Sequence, residues 1–135
     1  MSNSWRAGQY AKYLLKAKNR HGIHSTFVYA LLDEVVYDKT RRAEFSKVES
    51  IRSGLLSRKD EIEITDLGAG STVNKSNKRK VSDIAKNSAK DGKWGELLFR
   101  LAHHFQPKTM IELGTSLGIG SLYQSLGNTA GSLTT

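Results

Sequence analysis

Apolar positions recur with helical spacing over most of this chain and with strand spacing at only a few places. Tyr10, Tyr13, Leu14 and Ala17 stand at i, i+3, i+4 and i+7, one face of a short helix, with Lys12, Lys16 and Lys18 on its other sides. The segment Asn19-Arg20-His21-Gly22 breaks it. Ser25 is placed to cap a second helix, because Phe27, Val28, Leu31, Leu32 and Val35 recur with helical spacing while Asp33 and Glu34 face solvent. A third helix is predicted over 42–56, with Phe45, Val48, Ile51, Leu55 and Leu56 on its apolar side. Residues 1–60 therefore read as a helical region.

The run Glu61-Ile62-Glu63-Ile64-Thr65-Asp66-Leu67 alternates and then meets Gly68-Ala69-Gly70-Ser71, a short strand followed by a turn. Residues 71–80 are polar and basic, with Lys75, Lys78, Arg79 and Lys80, and read as a surface loop. Val81, Ile84, Ala85 and Ser88 mark a short helix closed by Asp91-Gly92, so that 61–91 is a strand, a basic loop and a helix. Beyond it, Leu97, Leu98, Leu101, Ala102 and Phe105 form a helical stripe. Pro107 ends it, because proline cannot continue a helix and biases Gln106 away from α geometry. A strand is predicted over 109–113. Ile119, Leu122, Tyr123 and Leu126 then define another helix, with Gly127 suited to the position just past its end. Gly131-Ser132-Leu133-Thr134-Thr135 begins a further strand, and the class expected is α/β.

Composition narrows the functions open to such a chain. With 38% hydrophobic and 25% charged residues it has the balance of a globular domain able to bury a core. The absence of cysteine excludes disulfides, thiolate metal sites and cysteine nucleophiles, and fits a reducing cytoplasm. There is no run of about 18 apolar residues, and the opening Met1-Ser2-Asn3-Ser4-Trp5-Arg6 lacks the apolar core of a secretory signal. A soluble cytoplasmic protein without a membrane partner is expected. The net charge of +8 attracts nucleic acid and anionic surfaces without specifying either.

Two acidic-Leu-Gly turns compete as the chemical centre. In Thr109-Met110-Ile111-Glu112-Leu113-Gly114-Thr115-Ser116-Leu117-Gly118-Ile119-Gly120 an apolar strand runs through Glu112 into a glycine-bearing turn and then a helix, a common way of holding a nucleotide-like ligand. Gly114 allows a sharp turn off the strand, Gly118 removes a Cβ where ligand or strand comes close, and the helix start offers free N–H groups. Asp66-Leu67-Gly68-Ala69-Gly70-Ser71 instead leads into the basic stretch, with no apolar periodicity behind it, and reads as a hairpin or tight turn.

Residues 94–118, WGELLFRLAHHFQPKTMIELGTSLG, resemble the entry to a class I S-adenosylmethionine-dependent methyltransferase of the small-molecule O-methyltransferase type, with its helix, strand and E-x-G-T-x-x-G turn. HGIHSTF at 21–27, DLGAGS at 66–71 and KRKVSDIAK at 78–86 resemble the region ahead of the catalytic domain in a bacterial subgroup of these proteins. The resemblance implies that 92–135 opens a Rossmann-like cofactor-binding domain, that the cofactor is S-adenosylmethionine and that the methyl acceptor is a small molecule. It implies that Glu112, Gly114 and Gly118 border the methionine part of the cofactor, with Thr115 and Ser116 contributing polar groups of the turn. S-adenosylmethionine carries no phosphate, so such a turn needs close backbone approach and N–H donors for the methionine carboxylate. In that family the next strand ends in an acidic residue for the ribose, and later strands supply the adenine pocket, the acceptor wall and any catalytic base or metal ligands. Here the chain stops at Thr135. The resemblance therefore implies a truncated chain, inactive alone, and assigns no catalytic residue.

The remaining candidates read more plainly. His21 and His24 have the spacing of a helical metal pair, but Gly22 and the helix start at Ser25 oppose a rigid arrangement, and no carboxylate stands at ligand spacing. They read as structural histidines or as part of a loop at an active-site mouth, His103 and His104 read as satisfied or exposed helix histidines, and no metal is expected. Trp94 and Tyr123 are candidates for a ligand wall or for the core. The alternative function is a basic nucleic-acid-binding module without enzymatic activity, using residues 75–80, although no aromatic platform lies among them.

Overall fold

The structure, a computed structural model, describes residues 3–17, 22–65, 77–89 and 92–135. The chain divides into two compact units, Met1–Asp38 and Lys39–Thr135. In the first, helix α1 (Asn3–Lys16) starts well ahead of its apolar stripe and buries none of its residues. Ser25 caps α2 (Thr26–Leu31): its hydroxyl accepts the Val28 N–H at 3.3 Å, satisfying a donor of the first turn that has no intrahelical partner. The chain runs on into a π-helical turn, Leu32–Val36, closed by the Tyr37 N–H donating to the Leu32 carbonyl at 2.8 Å. Asp33 and Glu34 are exposed and Val35 is buried, as the spacing predicts.

In the second unit, α3 (Ala43–Leu56) contributes Phe45 and Val48 to the core, while Ile51 and Leu56 remain in contact with water. The core cluster is Phe45, Val48, Phe99, Ile119 and Tyr123. Phe45 meets Phe99 edge-on with ring centroids 5.1 Å apart and lies 6.0 Å from the Tyr123 ring, offset geometries that suit aromatic quadrupoles.

The basic stretch departs from the loop expected for it. Lys78–Lys80 form strand β2, antiparallel to β1 (Glu61–Glu63), with Glu61 opposite Lys80, Ile62 opposite Arg79 and Glu63 opposite Lys78. Composition alone cannot reveal this, because the stretch has no apolar face. What aligns it is charge of opposite sign on the facing strand. The Ile64 N–H to the Asn77 carbonyl (2.9 Å) and the Val81 N–H to the Asp60 carbonyl (3.0 Å) extend the ladder at either end. The strand feeds directly into α4 (Val81–Asn87), where Val81, Ile84 and Ala85 are buried. Lys75 and the Asp66-to-Ser71 turn lie outside the described residues.

Helix α5 (Gly92–Phe105) turns a different face inward from the one its leucines mark. Gly95, Phe99, Arg100 and Ala102 are buried, Leu97, Leu98 and Leu101 are half-buried, and Phe105 is half-exposed. The helix rotates so that Gly95, the glycine in its second turn, faces Tyr123. Arg100 is accommodated beside Glu96, with 3.5 Å between Nη1 and Oε2. Gln106 ends the helix in the left-handed region, φ 43°, and its amide donates back to the His103 carbonyl at 2.8 Å.

Strand β3 (Thr109–Ile111), helix α6 (Ile119–Gly127) and strand β4 (Ser132–Thr134) follow. The strands pair in parallel, Thr109 with Ser132, Met110 with Leu133 and Ile111 with Thr134, so α6 is a crossover between them. Buried Asn128 ties the lower ends together, donating to the Pro107 carbonyl at 2.7 Å and accepting the Gly131 N–H at 3.1 Å. Gly127 is the last helical residue rather than the position beyond it. A Cβ there would overlap the Phe99 carbonyl oxygen and lie 3.1 Å from Ala102 Cβ, so its smallness serves the α5–α6 approach. The architecture is mixed α/β, with two two-stranded sheets among the described residues. No helix among them is long and apolar enough to cross a membrane.

Candidate functional site

The turn from β3 into α6 brings together all five residues singled out by the sequence. The Glu112 N–H donates to the Thr134 carbonyl at 2.9 Å, carrying the parallel ladder one step past β3. The backbone then enters the left-handed region three times, at Gly114 (φ 90°), Ser116 (φ 52°) and Gly118 (φ 76°). Such angles cost a side-chain-bearing residue on the order of 1 kcal/mol or more, which is the physical reason for glycine at two of the three. The Gly118 N–H closes the turn on the Thr115 carbonyl at 2.9 Å, and Gly118 then caps α6 with no side-chain hydrogen bond to the helix start. A Cβ at 114 or 118 would meet nothing within 4 Å, so it is torsion, not crowding, that calls for glycine at 118.

Glu112 folds back over the first turn of α6. Its Oε2 accepts from the Ser121 hydroxyl and its Oε1 from the Gln124 amide at 3.0 Å. Gly120 makes room for this, since a Cβ there would lie 2.7 Å from Oε1. The carboxylate thus sits where the helix dipole favours negative charge. Ser121, Gln124 and Gly120 were not among the sequence candidates. The signal for them was polar Ser121 and Gln124 at i and i+3 on a mostly apolar helix, nine and twelve residues beyond the acidic residue.

Beside the turn lies a cleft of about 470 Å³ lined by Ile62, Ile64, Ile84, Leu117 and Gly114, with Arg79, Ser88, Ser116 and Thr65 supplying polar atoms. It falls within the roughly 300–1,000 Å³ typical of small-molecule sites. A narrower recess of about 30 Å³, which shares Ser88, Gly114, Ser116 and Leu117 with the cleft, reaches Glu112, Thr115, Ile119 and Gly120. Apolar walls with a few polar atoms suit a small, partly apolar ligand.

The other candidates lie apart from the turn. Tyr123 is in the core, and Trp94 is exposed with the Lys93 ammonium 5.2 Å from its ring centroid. His103 stacks on Phe99 at 5.8 Å and His104 meets Phe105 edge-on at 4.8 Å, both as helix-surface rings. His21 lies outside the described residues, and among those described no three His, Asp or Glu side chains gather as a metal-ligand set. No protein-family model, curated protein or solved structure matches the chain.

Proposed function

We propose that the Lys39–Thr135 unit carries the methionine-end subsite of an S-adenosylmethionine-dependent methyltransferase of Rossmann-like type, acting on a small-molecule acceptor. One observation carries the reading: a parallel β3–α6–β4 crossover whose turn holds Gly114 and Gly118 at positive φ over a Glu112 carboxylate anchored on α6. The residues fit the group chemically. The start of α6, whose N-cap Gly118 makes no side-chain hydrogen bond, offers backbone N–H donors to a carboxylate, and Glu112 with the turn carbonyls offers acceptors to an ammonium group. The apolar cleft beside Gly114 has room for the remainder. When bound, S-adenosylmethionine supplies an electrophilic methyl group, and the work of this chain's turn is to hold its methionine end in one orientation, the proximity contribution to an in-line displacement.

The basic nucleic-acid reading draws support from the net charge of +8. Strand pairing weakens it locally, since Lys78 and Lys80 face Glu63 and Glu61 while Arg79 faces Ile62, leaving 3 − 2 = +1 on the paired strands.

Titration of the chain with S-adenosylhomocysteine, followed by amide NMR, tests the proposal. Binding on the order of 1 mM or tighter is expected, with shifts concentrated at residues 112–121. Saturable binding whose shifts fall instead on 61–65 and 77–80, or no shifts at all, would refute it.

A further inference from the structure

We propose that the Lys39–Thr135 unit carries a second ligand site, an anion groove for a small phosphomonoester, independent of the methyltransferase reading. The groove has a volume of about 490 Å³, and all of its lining residues belong to that one unit. It lies at the opposite end of α6 from the Glu112 turn, where Leu126 and Gly127 reach it together with Phe99 of α5. Thr40, Arg41 and Arg42 line it from the approach to α3. The Arg42 guanidinium lies over the Phe99 ring, 5.6 Å from its centroid, and His103 stacks on that ring at 5.8 Å.

Charge selects the occupant. Arg42 holds the N-cap position of α3, where serine, threonine, asparagine and aspartate are favoured, and makes no side-chain hydrogen bond to the helix start. Two guanidinium groups at the positive end of a helix oppose its dipole, and a bound anion reverses that conflict. Glu44 answers part of the charge, leaving 2 − 1 = +1 from the arginines and the carboxylate that line the groove. Where α5 and α6 end in the groove, their last carbonyls would repel an anion. The Gln106 amide covers two of them, donating to the His103 carbonyl at 2.8 Å and to the Gly127 carbonyl at 3.3 Å. Phosphate suits these groups better than carboxylate, because its additional oxygen accepts from the Thr40 and Thr129 hydroxyls while two guanidiniums fork onto the others. The groove is larger than a bare phosphate, and Phe99 with Leu126 offers apolar surface to the organic body of an ester.

Titration of the full chain with phenyl phosphate, inorganic phosphate and a single-stranded oligonucleotide without terminal phosphates, followed by amide NMR, tests this. Phenyl phosphate is expected to bind with a Kd on the order of 1 mM or tighter, shifting residues 40–45, 103–106 and 126–129 and leaving 112–121 unmoved. Arg41→Gln, at an exposed position, and Arg42→Lys, which keeps the charge and loses the fork, should each weaken binding by about fivefold or more. Glu44→Gln should tighten it by about twofold or more, a direction that loosened folding cannot mimic. A lack of saturable shifts in the three segments overturns the proposal, and so does binding that all three variants leave unchanged. Inorganic phosphate that binds as tightly as phenyl phosphate would show an adventitious ion only. An oligonucleotide that displaces phenyl phosphate at lower concentration than inorganic phosphate does would assign the groove to nucleic acid.

Discussion

The ring of Tyr123 rests directly on the backbone of Gly95. A Cβ at position 95 would fall within the van der Waals envelope of Tyr123 Cδ2 and Cε2 and 2.9 Å from Cζ. Tyr123 is fully buried, and its hydroxyl crosses to α3, donating to Glu49 Oε1 at 2.9 Å. A missing side chain on α5 therefore lets a residue of α6 reach α3. Gly95→Ala should lower unfolding free energy by about 1–2 kcal/mol in urea, overpacking outweighing the roughly 1 kcal/mol that alanine gains in helix propensity. An unchanged urea midpoint would mean that the ring yields freely.

The Tyr123 hydroxyl titrates well above its usual range, chiefly because burial disfavours phenolate, and further because it donates to the Glu49 carboxylate. The native state therefore keeps this proton at pH values where the unfolded chain loses it. With fewer protons bound in the unfolded state, stability falls as pH rises above about 10 and is fully present below that. Tyr123→Phe should flatten this alkaline decline and cost about 1–2 kcal/mol at neutral pH for the lost bond to a charged acceptor. Urea denaturation at neutral and alkaline pH checks both; an equally steep decline in the variant would assign it to other groups.

Substitutions at the turn separate ligand binding from stability. Gly114→Val forces a β-branched residue into φ 90° and should abolish S-adenosylhomocysteine binding while costing about 1–3 kcal/mol of stability. Gly120→Ala should cost less than about 1 kcal/mol, because the atom it displaces is the mobile end of Glu112, yet it disturbs the seat of that carboxylate. Calorimetric titration should find its ligand affinity reduced by about tenfold or more with the fold intact. Wild-type affinity in Gly120→Ala would remove Glu112 from the site.

Neutralising Lys78, Arg79 and Lys80 together should loosen the hairpin, because these residues form a strand facing Glu61 and Glu63. Each cross-strand pair is worth roughly 0.2–1 kcal/mol. Faster amide exchange is expected at Ile64 and Val81, whose N–H groups close the ladder. Oligonucleotide binding should change little. A large loss of oligonucleotide affinity with unchanged exchange would favour the nucleic-acid reading.

The β3 strand, the helix after Gly118, the break at Gln106 and the Ser25 cap were legible in the sequence because each is decided locally. A proline forbids helix, a hydroxyl ahead of an apolar run satisfies an N–H, and apolar spacing marks an amphipathic helix. That Glu112, Gly114, Thr115, Ser116 and Gly118 share one strand-to-helix turn was legible for the same reason, since they lie within seven residues. Three features depended on residues far apart in the chain. The basic stretch becomes a strand only when Glu61 and Glu63 face it, and α5 turns its glycine inward only because Tyr123 needs the space. Glu112 acquires Ser121 and Gln124 only when α6 folds back against β3. Local sequence sets backbone preference and periodicity. Which face of α5 is buried, which strand the lysines join and what holds the carboxylate are settled by close packing and by charges that meet only in the folded chain.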